Sequence, residues 1–323
     1  MLRNVTLKQL RALTAIGHEG KIVSAAKVLN LTPPAVTLQL QQLEVEAGFV
    51  LFDRTSNGLR PTDAGEVVLE AAGQIFALIA ACEEQLAALK GMTAGRLSVG
   101  AVSTAKYFSP RLIASFAKSR PGVQVRLSVG SREDIIALLG DFEIDVAIMG
   151  RPPKVMPVDA VYFGDHPLVV VAPPEHRLAR RRHIRKSELA DEVFLMREEG
   201  SGTRISMEIF IGGMPLKTGN LRIEMGSNET IKQAVMAGLG IAFISAHTIE
   251  AELETGRLIP LPVEGLPMQR KWFAVRRLDK ALTPAVGAFI DFLRKEGANF
   301  LPALPEGRAA PREGPSRRRR ATA

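Results

Sequence analysis

Ser24-Ala25-Ala26-Lys27-Val28-Leu29-Asn30-Leu31-Thr32-Pro33-Pro34-Ala35-Val36-Thr37-Leu38-Gln39-Leu40-Gln41-Gln42-Leu43-Glu44 spells two short helices joined by a sharp turn, the pattern of a helix-turn-helix. Ala25, Ala26 and Leu29 give the first helix a small-residue seam for a close neighbour, and Asn30 tolerates the backbone that leaves it. Thr32 stands where a cap is expected, and Pro33 and Pro34 fill the first helical positions, whose N–H groups have no partner anyway. Val36, Leu40, Leu43 and Ala47 fall on one side and predict the buried stripe. Pro34, Leu38 and Gln41 lie opposite, with Thr37 and Gln42 on the flanks. A buried face wants no Gln, so Pro33, Pro34, Thr37, Leu38 and Gln41 are candidates for reading base edges of double-stranded DNA. The competing reading is a solvated helix in an ordinary bundle.

Outward from this stretch, Leu51 to Arg60 has apolar ends around an Asn57-Gly58 turn, a hairpin signal. Beside a helix-turn-helix it reads as a wing whose Arg54 and Arg60 clamp the sugar-phosphate backbone. Pro61-Thr62-Asp63 then opens a helix in which Val68, Ala72, Ile75, Ile79, Cys82, Leu86 and Leu89 recur at steps of four and three. That heptad seam predicts a linker pairing two chains, with Ile75, Ile79, Cys82 and Leu86 as dimerisation residues and only small residues on the other faces.

Residues 95–300 alternate short apolar strands with amphipathic helices, which predicts parallel α/β sheets. Strands are expected at Arg96–Val99, Val123–Val129, Val146–Met149, Leu168–Ala172, Arg222–Glu224, Ala242–Ile244 and Lys271–Val275. The expected domains are a winged helix-turn-helix at 1–60, a linker helix at 61–91, a two-lobed effector-binding domain at 92–301 and a disordered basic tail at 302–323. Lobe I joins 95–164 to 268–300 and lobe II is 165–267, with a ligand cleft between them. Ligands in open α/β sheets sit beyond the carboxyl ends of strands, where helix N-termini point. That rule selects Ser103, Thr104, Lys106, Ser131, Arg132 and Arg151 from lobe I, and Ser201, Thr203, Arg204 and Asn228 from lobe II. Hydroxyls, N–H groups and cations together suit a small anionic metabolite, although each residue taken alone reads equally as a helix cap.

The series Ala25-Ala26, Leu29, Pro34-Ala35-Val36-Thr37, Gln39, Leu43-Glu44, Gly48, Leu51-Phe52-Asp53-Arg54, Pro61-Thr62 and Gly65 resembles the LysR-type transcriptional regulators, and the likeness runs to about Leu301. It implies an α plus α/β fold: a winged helix-turn-helix, a long linker helix and a two-lobed effector domain of periplasmic-binding-protein type. Ser103 to Phe108, Val129 to Glu133 and Ala147 to Pro153 resemble regulators of Calvin-cycle carbon-fixation (RuBisCO) operons, which carry Asn where Ser131 stands. The resemblance implies a homodimer assembling to a homotetramer, an inverted-repeat operator, contact with RNA polymerase, and activation in response to a phosphorylated sugar intermediate or a nicotinamide nucleotide. A regulator of another metabolic operon is the alternative.

Composition fits this reading. The 323 residues allow several domains, and 46% are hydrophobic. Of the net charge of +8, the segment from Lys295 holds +4 (seven basic, three acidic residues) and residues 1–60 hold +3 (seven against four), so the case for DNA rests on architecture. The N-terminus lacks a signal segment and no run of about eighteen uncharged apolar residues appears, so a cytoplasmic protein without membrane contact is expected. The single cysteine, Cys82, leaves no internal disulfide, and its seam position suggests a buried hydrophobe. Gly200-Ser201-Gly202 and Gly238-Leu239-Gly240 complete no nucleotide-binding loop, and the five histidines show no metal-ligand spacing. No cofactor, metal or catalytic constellation is expected, which opposes an enzyme or a solute receptor as the competing class.

Overall fold

The computed structural model describes residues 2–89, 95–212 and 223–303, with 84 and 87–89 described by backbone alone. Nearly all of the basic tail, the Arg222 end of one expected strand and the Leu89 side chain lie outside the described residues. The chain divides into two compact units, the first taking 1–164 and 271–299, the second 165–270 with the residues after Asn299.

The first unit begins with α1 (Leu7–Glu19), α2 (Ile22–Leu29) and α3 (Pro33–Ala47). Thr6 and Gln9 close a capping box on α1, satisfying two N–H groups that a helix start leaves open. Asn30 ends α2 in the left-handed conformation at φ 54. The expected cap on α3 is absent: Thr32 holds the position but makes no side-chain hydrogen bond, and the fixed φ of Pro33 and Pro34 starts the helix instead. Val36, Leu40, Leu43 and Ala47 are buried against Leu10, Leu13 and Ile16 of α1 and Ala25 and Ala26 of α2. Full burial of one such leucine contributes about 1.5–3 kcal/mol.

β1 (Phe52–Thr55) and β2 (Gly58–Pro61) form the antiparallel wing, with Asp53 opposite Arg60 and Arg54 opposite Leu59. The turn centres on Ser56 and Asn57, one residue earlier than the Asn-Gly signal predicts, because Gly58 is wanted in the strand. Its φ is 137, the next N–H donates to the Gly20 carbonyl at 2.7 Å, and a Cβ on Gly58 would stand 2.4 Å from that same oxygen.

α4 (Asp63–Leu89) is the long linker helix. Ala72 is fully buried in the three-helix core and Val68, Leu69 and Phe76 pack against it. Val68 and Ala72 therefore belong to the head rather than to a pairing seam. Ile75, Cys82 and Leu86 are exposed and Ile79 is half-buried, but Val67 and Leu78 are exposed as well, so the other faces are not merely small. The open apolar stripe of the single chain is Val67, Ala71, Ile75, Leu78, Cys82 and Leu86. By length and composition, Asp63–Glu83 could cross a membrane.

β3 (Gly95–Val102) pairs in parallel with both β4 (Val123–Gly130) and β5 (Val146–Met149), with α5 (Ser109–Ser119) and α6 (Arg132–Gly140) as crossovers. β6 (Val158–Ala172) carries the chain into the second unit and is ten residues longer at its start than the strand expected from Leu168. There β7 (Phe194–Arg197), a strand the apolar pattern did not predict, pairs in parallel with β8 (Ile223–Met225) and β9 (Ile241–Ser245). α7 (Gly202–Ile211) and α8 (Asn228–Met236) connect them, α9 (Glu250–Glu254) follows β9, and β10 (Ile259–Pro260) pairs with β6. β11 (Met268–Arg277) returns to pair antiparallel with β5, and α10 (Pro284–Glu296) closes the first unit by setting Phe289 edge-on to Phe116 at 5.0 Å.

Candidate functional site

On the head, Pro33, Pro34, Leu38 and Gln41 are exposed on the side of α3 away from the core, and Leu38 keeps 51% of its surface in solvent. Thr37 is half-buried, and its hydroxyl donates to the Pro33 carbonyl at 3.0 Å, so its methyl is what it offers outward. No Lys or Arg lies in α3, which leaves cationic contacts to neighbouring elements. Arg54 and Arg60 are both exposed, but they do not act as a pair. Side chains alternate along a strand, so Arg54 shares a ribbon face with Leu59 while Arg60 stands on the other, across from Asp53.

In the first unit the parallel order β4-β3-β5 brings three strand ends to one edge. Thr104 and Lys106 follow β3, with Thr104 7% exposed and the Lys106 ammonium 5.1 Å from the Tyr107 ring centre; Ser103 precedes them, half-buried. Ser131 caps α6: its hydroxyl accepts the Asp134 N–H at 3.1 Å. The Ser131 hydrogen bonds hold the Asp134 carboxyl below the usual range. Arg132 donates to the Arg151 carbonyl at 3.2 Å, and its buried Nε has no partner. Burial first, and the Arg151 charge second, lower the Arg132 pKa from the ordinary value. Two guanidinium groups side by side form a locus of positive charge that an anion would satisfy.

In the second unit Ser201 stands at the cap position of α7 without making a capping bond, and Ser201 and Thr203 are both buried. Arg204 departs from the expected role. It is held by Glu208 at 3.1 Å and Glu224 at 2.5 Å, which raise its pKa and satisfy its charge. Asn228, 1% exposed, accepts from Arg197 Nη1 at 2.6 Å, and its Nδ2 is buried without a partner. The histidines His166 and His247 stack in the core at 5.8 Å with pKa values pushed down to about 3 and about 4, chiefly by burial.

Residues 90–298 match the LysR substrate binding domain, and residues 7–66 match the bacterial regulatory helix-turn-helix protein, lysR family. The chain belongs to the LysR family. It is 52% identical over 303 residues to the HTH-type transcriptional regulator CbbR of Sinorhizobium medicae (strain WSM419), covering 94% of this chain and 97% of that one. It is 44% identical over 299 residues to the RuBisCO operon transcriptional regulator of Allochromatium vinosum, covering 92% and 98%. Among solved structures, the regulatory domain of CcmR from Synechocystis PCC6803, in complex with 2-PG, superposes with a TM-score of 0.59 at 36% identity, covering 62% of this chain and 96% of that one.

In this LysR-family chain a buried arginine outside the sequence-based candidates, Arg197, stands at a strand end. It ends β7, is 3% exposed, and is bound to Glu198 at 2.5 Å as well as to Asn228. The strand-end rule that selected Ser131 and Arg151 as candidates would have selected Arg197 as well had Phe194-Leu195-Met196 been read as a strand.

Proposed function

We propose that this chain is a DNA-binding transcriptional regulator of a RuBisCO operon that responds to a small anionic metabolite, and that it acts without catalysis, in the cytoplasm. The observation that carries the reading is the identity to a named RuBisCO operon transcriptional regulator over nearly the whole length of both chains. In this reading α3 enters the major groove with Pro33, Pro34, Thr37, Leu38 and Gln41, Gln41 toward adenine and Leu38 and the Thr37 methyl toward thymine methyl groups. Arg54 contacts backbone phosphate, and Arg60 does so from the other ribbon face. The anion is held by Arg132 and Arg151 with donors from Ser103, Thr104, Lys106 and Ser131. Taken by itself, the second unit offers Ser201, Thr203 and Asn228 as neutral polar groups for a ligand. The phosphate ligand 2-PG (2-phosphoglycolate) bound to the CcmR domain supports an anion of that class.

Exposed apolar surface along α4 supports pairing of linker helices, so that two heads meet an inverted repeat. The full assembly is then a tetramer that presents itself to RNA polymerase. A mobility-shift titration on the DNA upstream of the gene tests this reading. Gln41→Ala is expected to lose about 1–3 kcal/mol of discrimination at one base position, and Arg54→Ala to weaken binding to all sequences alike with a shallower salt dependence. Unchanged base preference in the first, or a loss confined to one operator in the second, contradicts the docking.

A further inference from the structure

A strained corner in the first unit joins the candidate anion loops to the linker helix. Phe142, just after α6, is 8% exposed and sits at φ 61, a left-handed conformation that a bulky side chain adopts only when its surroundings enforce it. Its ring fills the space beside Gly73 in the middle of α4, where a Cβ would stand 2.6 Å from Phe142 Cδ2. A glycine inside a helix weakens it, and here the close approach of the ring requires one. The Arg277 guanidinium lies over the ring, 4.1 Å from its centre.

Arg277 ties the corner together. It donates to the Gly140 carbonyl at 2.9 Å, to Asp279 at 2.7 Å, and to Glu70 of α4 at 2.9 Å. Gln74 of α4 reaches the same Asp279 at 3.5 Å, and His18 of α1 approaches Glu143 at 3.3 Å. Lys280 pins the backbone by donating to the carbonyls of Phe142 at 2.7 Å and Ile144 at 3.0 Å. The two elements that leave this corner both end at the arginines: α6 runs from Arg132 to Gly140, and β5 runs from Val146 to Met149, two residues short of Arg151. α6 is packed through Ile135 and Leu139, both fully buried, so it transmits a displacement as a rod instead of absorbing it.

We infer that the Phe142 corner, gripped by Gly73, Glu70 and Arg277, is the relay that passes anion occupancy at Arg132 and Arg151 to the linker helix and so to the DNA-reading head. The inference rests on the proposed reading of those arginines as an anion site. An anion drawing Arg132 and Arg151 together moves the near ends of α6 and β5, and their far ends meet at the one strained residue that touches α4. Coupling between two sites needs such a shared element, whose setting both ligands bias.

The test uses the full chain with 2-phosphoglycolate as the probe and DNA from upstream of the gene. In the wild type, 2-phosphoglycolate is expected to change DNA affinity by a factor of about 5–150. Glu70→Ala, at an exposed position, and Gly73→Ala are expected to bring that factor close to one, while calorimetry still detects 2-phosphoglycolate binding. Hydrogen exchange gives a second readout: the anion is expected to change protection of the α4 amides in the wild type and to leave them unchanged in Glu70→Ala. Retention of the full factor in both variants, or loss of anion binding in Glu70→Ala, overturns the relay alone. A wild type that binds no 2-phosphoglycolate overturns the anion site and the relay with it.

Discussion

Both units gather polar side chains beyond the ends of parallel strands, yet their electrostatics are opposite. In the first, Arg132 donates to the Arg151 carbonyl, and no carboxylate salt bridge to either arginine occurs among the described residues, although the Glu133 charge acts on Arg132. In the second, Arg197 is matched by Glu198, and Arg204 by Glu208 and Glu224. A guanidinium with its carboxylate already in place has little left for a ligand, whereas a pair of like charges gains from any anion that enters. In the proposed reading the charge that would draw an anion therefore lies in the first unit, while the arginines of the second unit are already neutralised within it.

The largest effect that can break this contrast belongs to the second unit. Arg197→Ala removes the partner of a buried amide and of Glu198, and urea denaturation is expected to show a loss of about 3–5 kcal/mol; a loss below 1 kcal/mol would mean that Arg197 is no part of the frame. Acid should also single out this unit. The pKa values of His166 and His247 stand at about 3 and about 4 in the folded chain, below the ordinary 6.5, so the unfolded chain takes up protons first. Stability from these two groups is complete above pH 6.5 and drains away as the pH falls toward 4, by up to about 1.4 kcal/mol per pH unit for each histidine. Thermal unfolding followed across that range checks it, and a flat profile contradicts the buried neutral pair.

Next in size is the first unit's own test. Arg151→Ala is expected to weaken 2-phosphoglycolate binding by about 1.5–3 kcal/mol, the scale of a hydrogen bond to a charged group, while leaving the melting temperature and DNA affinity unchanged. Calorimetry returning wild-type affinity would move the anion elsewhere. Smallest is Arg204→Ala: its partners Glu208 and Glu224 are more than half exposed, so the expected cost is at most about 1 kcal/mol of stability, with no effect on anion binding. A large loss of anion affinity there would reverse the contrast.

How much of this was legible in the sequence depended on whether a residue's role is set locally. The α3 stripe of Val36, Leu40, Leu43 and Ala47 could be read because four-residue spacing alone decides which side of a helix is apolar. Ser131 and Arg151 could be reached because β4 and β5 are clear apolar strands whose ends follow directly. The pairing of Arg204 could not be read, since one of its two carboxylate partners, Glu224, stands twenty residues away on β8. The linker helix misled for a related reason. Val67 and Val68 are adjacent, and periodicity cannot tell which of two apolar stripes packs on the chain's own head. The grip of Phe142 on Gly73 was invisible because nothing local marks either residue as a tertiary contact.

Footprinting of the full chain on the DNA upstream of its gene, with and without 2-phosphoglycolate, tests the central claim most directly. The account predicts protection of an inverted repeat at concentrations where unrelated DNA is left bare, with an extent or affinity that shifts when the anion is added. Protection no stronger than on unrelated DNA, or a footprint that the anion leaves unaltered at saturating concentration, would contradict it.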